Sequence, residues 1–263
     1  MLPPMANPGG LEDLLAHLSR MARGDGAEVE RVVRETLDYF SETVEQFVAR
    51  RHAELQAEDL RNDAIWERIA DKFPDAQAQV QGDRRFTWTE FDRRADGIAR
   101  TLLDHGAGHQ DKVALYLYNG PEYMETAFAC YKASLVPVNT NYRYIDDELT
   151  YLWDNADAVA VVFNGEFTPT IERIRSRVPD VKVWLWVDDG NGDCPEWAIP
   201  YEDAAATETE RVVGAKGRSG DDILMIYTGG TTGMPKGVMW RQDDLIHATC
   251  TTGLPILTGE QSE

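Results

Sequence analysis

Residues 158–163 read Ala-Val-Ala-Val-Val-Phe, an uninterrupted apolar run that predicts a strand buried on both faces. Further apolar runs have the same character and are joined by amphipathic segments that predict helices, and these runs lie at 113–117, 135–138, 181–187 and 223–227. Strands without polar alternation, separated by helices, are typical of a parallel sheet covered on both sides. The sequence therefore predicts an α/β fold: a doubly wound, largely parallel sheet with flanking helices. We expect residues 223–227 to be its last strand, and we expect one of Trp184 and Trp186 to face the core and the other a helix.

The region before the sheet carries local signals for a helix, a hairpin and a second helix. The first helix should end before Pro74, and the hairpin should turn at Gly82-Asp83. Thr87 followed by Glu90 three residues later is a capping box, which predicts a helix that ends at Gly106.

Residues 1–60 have a different pattern from the rest of the chain. Apolar residues recur there at steps of three and four between positions 29 and 48, which predicts a long amphipathic helix. We therefore divide the chain into an all-α helical extension, residues 1–60, and an α/β domain, residues 61–263. Self-association through the long helix is one use for its apolar stripe.

The chain is acidic, with 26 lysines and arginines against 46 aspartates and glutamates, a net charge of −20. Such a charge repels a phosphate backbone, which argues against nucleic-acid or anionic-membrane binding. An anionic ligand would therefore need a locally positive site within this negative electrostatic field. The sequence shows no apolar run of membrane-spanning length and no secretory signal. Its three cysteines form no CxxC pair, so we expect reduced thiols, no metal site and a cytoplasmic location.

The segment after the 223–227 strand provides such a site. It reads Thr-Gly-Gly-Thr-Thr-Gly-Met-Pro-Lys-Gly from position 228 to position 237. Glycines let backbone N–H groups approach an anion, threonine hydroxyls add donors, and the lysine adds a positive charge. The spacing is neither that of a Walker A loop nor that of the dinucleotide fingerprint. The predicted phosphate-binding residues are Thr228, Gly229, Gly230, Thr231, Thr232, Gly233 and Lys236.

Residues 227–237, as YTGGTTGMPKG, resemble the signature of the adenylate-forming (AMP-binding) superfamily, and they differ from it at Gly229, where serine is usual. Residues 86–91 are similar to the start of an early helix in that family. Residues 138–149 resemble members that act on fatty or other bulky carboxylic acids. The resemblance covers roughly residues 63–258 and leaves out residues 1–60.

The resemblance implies a ligase that uses ATP, Mg²⁺ and coenzyme A to convert a carboxylic acid into an acyl-adenylate and then an acyl-CoA. It implies that the glycine- and threonine-rich motif with Lys236 holds the β- and γ-phosphates. Because members of the family continue well past this motif, we expect the chain to be a truncated N-terminal part, without catalytic or metal-binding residues of its own and inactive alone. Two alternatives stay open: a non-catalytic interaction module or degenerate scaffold with a helical oligomerisation element, and a different phosphate-handling enzyme, such as one with a kinase-like or NTPase fold.

Overall fold

The computed structural model describes residues 62–228 and 234–251. The helical extension predicted for residues 1–60 lies outside these residues. The helices are α1 (Asn62–Lys72), α2 (Trp88–Asp104), α3 (Pro121–Lys132), α4 (Asp146–Asn155), α5 (Thr168–Ile174), α6 (Tyr201–Ala205) and α7 (Gln242–Thr251). The strands are β1 (Gln77–Gln81), β2 (Arg84–Thr87), β3 (Lys112–Tyr116), β4 (Val136–Asn139), β5 (Ala158–Asn164), β6 (Val183–Val187), β7 (Ile199–Pro200), β8 (Ile223–Thr228) and β9 (Lys236–Arg241).

The helix start and the two glycine turns predicted before the sheet are confirmed. The side chain of Thr87 accepts a hydrogen bond from the Glu90 N–H (3.2 Å), and the Thr87 N–H donates to the Glu90 carboxylate (2.7 Å). These two bonds satisfy donors that would otherwise be unpaired at the first turn of α2. Gly82 and Gly106 have φ of +57° and +95°, so both turns use a backbone conformation that glycine adopts without strain.

Within residues 62–228 and 234–251, seven strands form one sheet in the order β7-β6-β5-β3-β4-β8-β9, and all neighbours are parallel except β8 and β9. Alternate residues of β3 enter two separate cores. Val113 and Leu115 pack with α2 and α3, whereas Ala114 and Tyr116 pack with α4 and α5. Helices therefore cover both faces, which confirms the predicted α/β class and the largely parallel sheet.

Two sequence-based expectations were wrong. Residues 223–227 are not the last strand, because Lys236–Arg241 forms β9 and pairs antiparallel with β8. Trp184 and Trp186 do not face opposite sides of the sheet, because both are buried in the core that also contains α4 and α5. Residues two apart on a strand point to the same face, so the two indoles share one environment.

None of the helices in the described part of the chain combines the length and the apolar character needed to cross a bilayer.

Candidate phosphate-binding site

The predicted phosphate-binding motif lies in the connection between β8 and β9, at the carboxyl end of β8. Thr228 is the last residue of β8 and Lys236 is the first residue of β9, and the two are directly opposed in the hairpin. Opposed residues of antiparallel strands project to the same face. The fold thus brings these two predicted site residues together, and both side chains are exposed. The other predicted members, Gly229, Gly230, Thr231, Thr232 and Gly233, lie outside the described residues.

Lys236 is a positive charge without a carboxylate partner in residues 62–228 and 234–251. The other cation of β9, Arg241, is in contrast paired with Asp221 and Asp244. In a chain with a net charge of −20, an exposed lysine beside an exposed threonine hydroxyl is a local exception to the surrounding field. The arrangement suits an anion that approaches the carboxyl end of the sheet, where ligands bind in α/β folds.

The first and last residues of the motif-bearing segment, Tyr227 and Gly237, also oppose each other in the hairpin. A Cβ atom at position 237 would lie 2.9 Å from Cε2 and Cζ of the Tyr227 ring and 3.0 Å from Sδ of Met225. The tyrosine side chain thus packs directly on the glycine backbone. Gly237 is required by this close approach, and it fixes the separation of the two strands where the motif leaves and re-enters the sheet.

Tyr227 is anchored at both its side chain and its backbone. Its hydroxyl donates to Oδ1 of Asn155 at the end of α4 (2.8 Å). Its N–H donates to Oδ1 of Asn139 (2.6 Å), and its carbonyl accepts from Nδ2 of the same asparagine (3.3 Å). Burial raises the pKa of the Tyr227 phenol, so the hydroxyl keeps its proton and remains a donor at neutral pH.

Asn139 and Asn155 are functional candidates that sequence reasoning missed. Asn139 belongs to the 138–149 segment used for the family resemblance, but nothing in the local sequence connects it to the motif. Its partner lies 88 residues later in the chain. Only the pairing of β4 with β8 brings the two together.

The described residues do not fit a protein-held magnesium ion. In the ranges 62–228 and 234–251, no group of three or more histidine, cysteine, aspartate or glutamate side chains could hold a metal. Threonine and lysine side chains are partners for phosphate oxygens and not a magnesium ligand set.

Residues 66–261 match the family model described as AMP-binding enzyme. The chain belongs to the AMP-binding enzyme family. A curated relative from Mycolicibacterium smegmatis, named medium/long-chain-fatty-acid--CoA/3-oxocholest-4-en-26-oate--CoA ligase, is 38% identical over 212 residues, which cover 80% of this chain and 37% of that protein. Medium-chain acyl-CoA ligase Mig from Mycobacterium avium is 36% identical over 213 residues, covering 76% of this chain and 38% of that protein.

The fold of this AMP-binding enzyme chain also matches solved structures. The apo structure of MbtA from Mycobacterium smegmatis superposes with a TM-score of 0.65 at 26% identity, covering 76% of this chain and 38% of that one. The chain thus spans 37–38% of the length of these curated relatives. The resemblance inferred from residues 227–237 is confirmed at the level of the family.

Proposed function

We propose that these residues serve the activation of a carboxylic acid with ATP and the transfer of its acyl group to coenzyme A. The observation that carries this proposal is the opposition of Thr228 and Lys236 at the carboxyl end of β8, in a chain that belongs to the AMP-binding enzyme family. Membership supports this class of reaction, and the hairpin supports a phosphate site beside Thr228 and Lys236.

The proposed reaction has two steps. A carboxylate oxygen attacks the α-phosphorus of ATP, the bond to the β-phosphate breaks, and the products are acyl-adenylate and pyrophosphate. The thiol of coenzyme A then attacks the acyl carbon, and AMP leaves. Lys236 and the hydroxyl of Thr228 hold the β- and γ-phosphates and stabilise the charge that moves onto pyrophosphate, which is positional and electrostatic catalysis. The nucleophile belongs to the substrate, and magnesium enters bound to ATP.

The acid is proposed to be a medium- or long-chain fatty acid or another bulky carboxylic acid. Support comes from the names of the relatives, which describe ligases for medium- and long-chain fatty acids and for a steroid carboxylic acid. The 138–149 segment resembles members of that kind. A cytoplasmic location is proposed with it, because Cys130 and Cys194 are free thiols.

The 263 residues themselves are proposed to bind the polyphosphate without completing the reaction. This proposal rests on coverage, since more than three fifths of the length of the matched relatives has no counterpart in these residues. Its test is an acyl-CoA assay with the purified 263-residue chain, Mg-ATP, coenzyme A and fatty acids of graded length. ATP-dependent thioester formation by this chain alone would contradict the proposal of incompleteness and leave family membership untouched.

The phosphate site is tested by titrating the chain with Mg-ATP while following its backbone amide NMR signals. We expect the signals of residues 228–237 to shift, and we expect Lys236→Ala to weaken binding by about tenfold or more, a loss of about 1.4 kcal/mol. The matched control is Lys182→Ala, which removes another exposed lysine just before β6. Unmoved signals, or equal affinities for Lys236→Ala and Lys182→Ala, would overturn the assignment.

A further inference from the structure

The junction between β4 and β8 combines one backbone pairing with hydrogen bonds from a side chain. The two strands share a single registered residue pair, Val138 with Met225. One residue further along β4 and two residues further along β8, the side chain of Asn139 makes the contact between the strands. Its Oδ1 accepts from the Tyr227 N–H (2.6 Å), and its Nδ2 donates to the Tyr227 carbonyl (3.3 Å). Both main-chain polar groups of one β8 residue are therefore satisfied by one side chain.

A carboxamide can do this because it presents an acceptor and donors much as a peptide group does. The side chain of Asn139 thus extends the pairing of β4 with β8 as far as Tyr227, the residue before Thr228. Without it, the Tyr227 N–H and carbonyl would lose their partners on this side, and a buried peptide group without partners is costly. The ring of Tyr227 is held separately, by Asn155 on α4.

We propose that Asn139 is a positioning residue for the polyphosphate site, holding the main chain of β8 where the phosphate-binding motif begins. This inference rests on the proposed function of Lys236 and Thr228. Thr228 follows Tyr227 directly, and Lys236 opposes Thr228 across the hairpin. A shift of the Tyr227 backbone therefore moves both phosphate-binding groups together. Binding and catalysis that depend on placement are sensitive to displacements of about 1 Å.

The chain offers a matched control in Asn164, at the end of β5. Its Oδ1 accepts from the Tyr118 N–H (2.8 Å), so Asn164→Ala also removes a side-chain bond to the backbone at the carboxyl end of the same sheet. Asn164 lies on β5 and its bond is to Tyr118, so this bond does not hold β8. Asn139→Asp is a second variant of unchanged shape, which keeps an acceptor for the Tyr227 N–H and loses the donor to the Tyr227 carbonyl.

The experiment measures Mg-ATP affinity by calorimetry for the wild-type chain, Asn139→Ala, Asn139→Asp, Asn164→Ala and Lys236→Ala, at a temperature where each is folded. Amide hydrogen exchange at Tyr227 is followed in parallel. We expect Asn139→Ala to weaken affinity by about tenfold, with Asn164→Ala within about twofold of wild type. We also expect the Tyr227 amide to lose protection in Asn139→Ala and to keep it in Asn139→Asp. Asn139→Asp loses the bond to the Tyr227 carbonyl, so it should show the same loss of Mg-ATP affinity. This variant carries the test if Asn139→Ala does not fold.

The outcomes separate the two proposals. Equal affinities for the Asn139 variants and Asn164→Ala, with Lys236→Ala weakened, would overturn the role of Asn139 alone. A wild-type chain that does not bind Mg-ATP, or an unchanged Lys236→Ala, would overturn the proposed phosphate site and the role of Asn139 with it.

Discussion

The aromatic ring of Tyr227 packs directly on the backbone of Gly237. The two residues oppose each other in the β8–β9 hairpin, one pair before the connecting segment, and a Cβ atom at position 237 would lie 2.9 Å from the ring. This contact closes the hairpin below Thr228 and Lys236. The last glycine of the motif is thus explained by packing, independently of any contact with phosphate.

Gly237→Ala should therefore destabilise the chain. The Tyr227 ring is buried and hydrogen-bonded to Asn155, so it has little freedom to move away from a new methyl group. Overpacking of this kind costs about 1–3 kcal/mol in the free energy of unfolding, measurable by chemical denaturation. The control is a double-mutant cycle with Tyr227→Leu, which removes the ring. We expect Gly237→Ala to cost less in that background, and strictly additive losses would show that the ring contact is not the cause.

A buried lysine should be essential for the packing of α1, α2 and α3. Nζ of Lys132 is fully buried and lies 2.6 Å from Asp92, 3.0 Å from Asp96 and 2.9 Å from Glu67. Lys132→Met would leave these carboxylates without their central cation, and breaking a buried ion pair costs about 3–5 kcal/mol. Denaturation should show this loss, with Lys182→Met, at an exposed position, changing stability by no more than about 0.5 kcal/mol. Similar losses in the two variants would refute a special role for Lys132.

Glu67 should make stability depend on pH in the acid range. Burial opposes its ionisation, but hydrogen bonds from Arg218 and Lys132 and the charges of both cations outweigh burial and hold the pKa of Glu67 below its usual value of 4.5. A carboxyl group with a lowered folded-state pKa stabilises the fold above its unfolded pKa, and this contribution is lost as pH falls through the folded value. The stability difference between wild type and Glu67→Gln should thus be constant above about pH 5.5 and shrink below about pH 4.5. A difference that stays constant from pH 7 to pH 3 would contradict this linkage.

Gly97 should tolerate no side chain, although it lies within a helix. A Cβ there would lie 2.7 Å and 2.8 Å from the carbonyl oxygens of Ala204 and Ala205, so α2 and α6 meet backbone to backbone. Alanine favours helix by about 1 kcal/mol over glycine, yet we expect Gly97→Ala to lower the unfolding free energy because α6 must move. The comparison is Gly108→Ala, whose Cβ would meet only Asp111 Oδ2, at 3.6 Å. If both variants are equally stable by thermal denaturation, the helix contact is looser than described.

The elements that could be predicted from the sequence are those with local causes. The capping box at Thr87 and the glycine turns at Gly82 and Gly106 depend on neighbours within a few residues, and each is confirmed. The continuous apolar runs marked strands buried on both faces, which led to the α/β class. The motif containing Lys236 combines backbone freedom and charge in one short segment, so a phosphate site could be predicted there without knowledge of the fold.

The remaining features depend on contacts between distant parts of the chain. β9 begins inside the motif, all its residues are exposed, and its apolar run, residues 238–240, is shorter than the runs that indicated the other strands. β9 is a strand because its backbone pairs with β8. Asn139 looks like any polar residue after a strand until β8 is placed beside β4. The role of Asn139 depends on which strands are neighbours in the sheet, and the hydrophobic periodicity of the sequence does not specify that order.

β9 is the outermost strand of the seven-stranded sheet, and its outer N–H and carbonyl groups have no neighbouring strand among the described residues. Val238, Met239 and Trp240 on it are substantially exposed. A free, apolar sheet edge is a template on which another extended chain can add itself. A single added charge on this edge, such as Met239→Lys, should therefore reduce the aggregation of the polypeptide at high concentration.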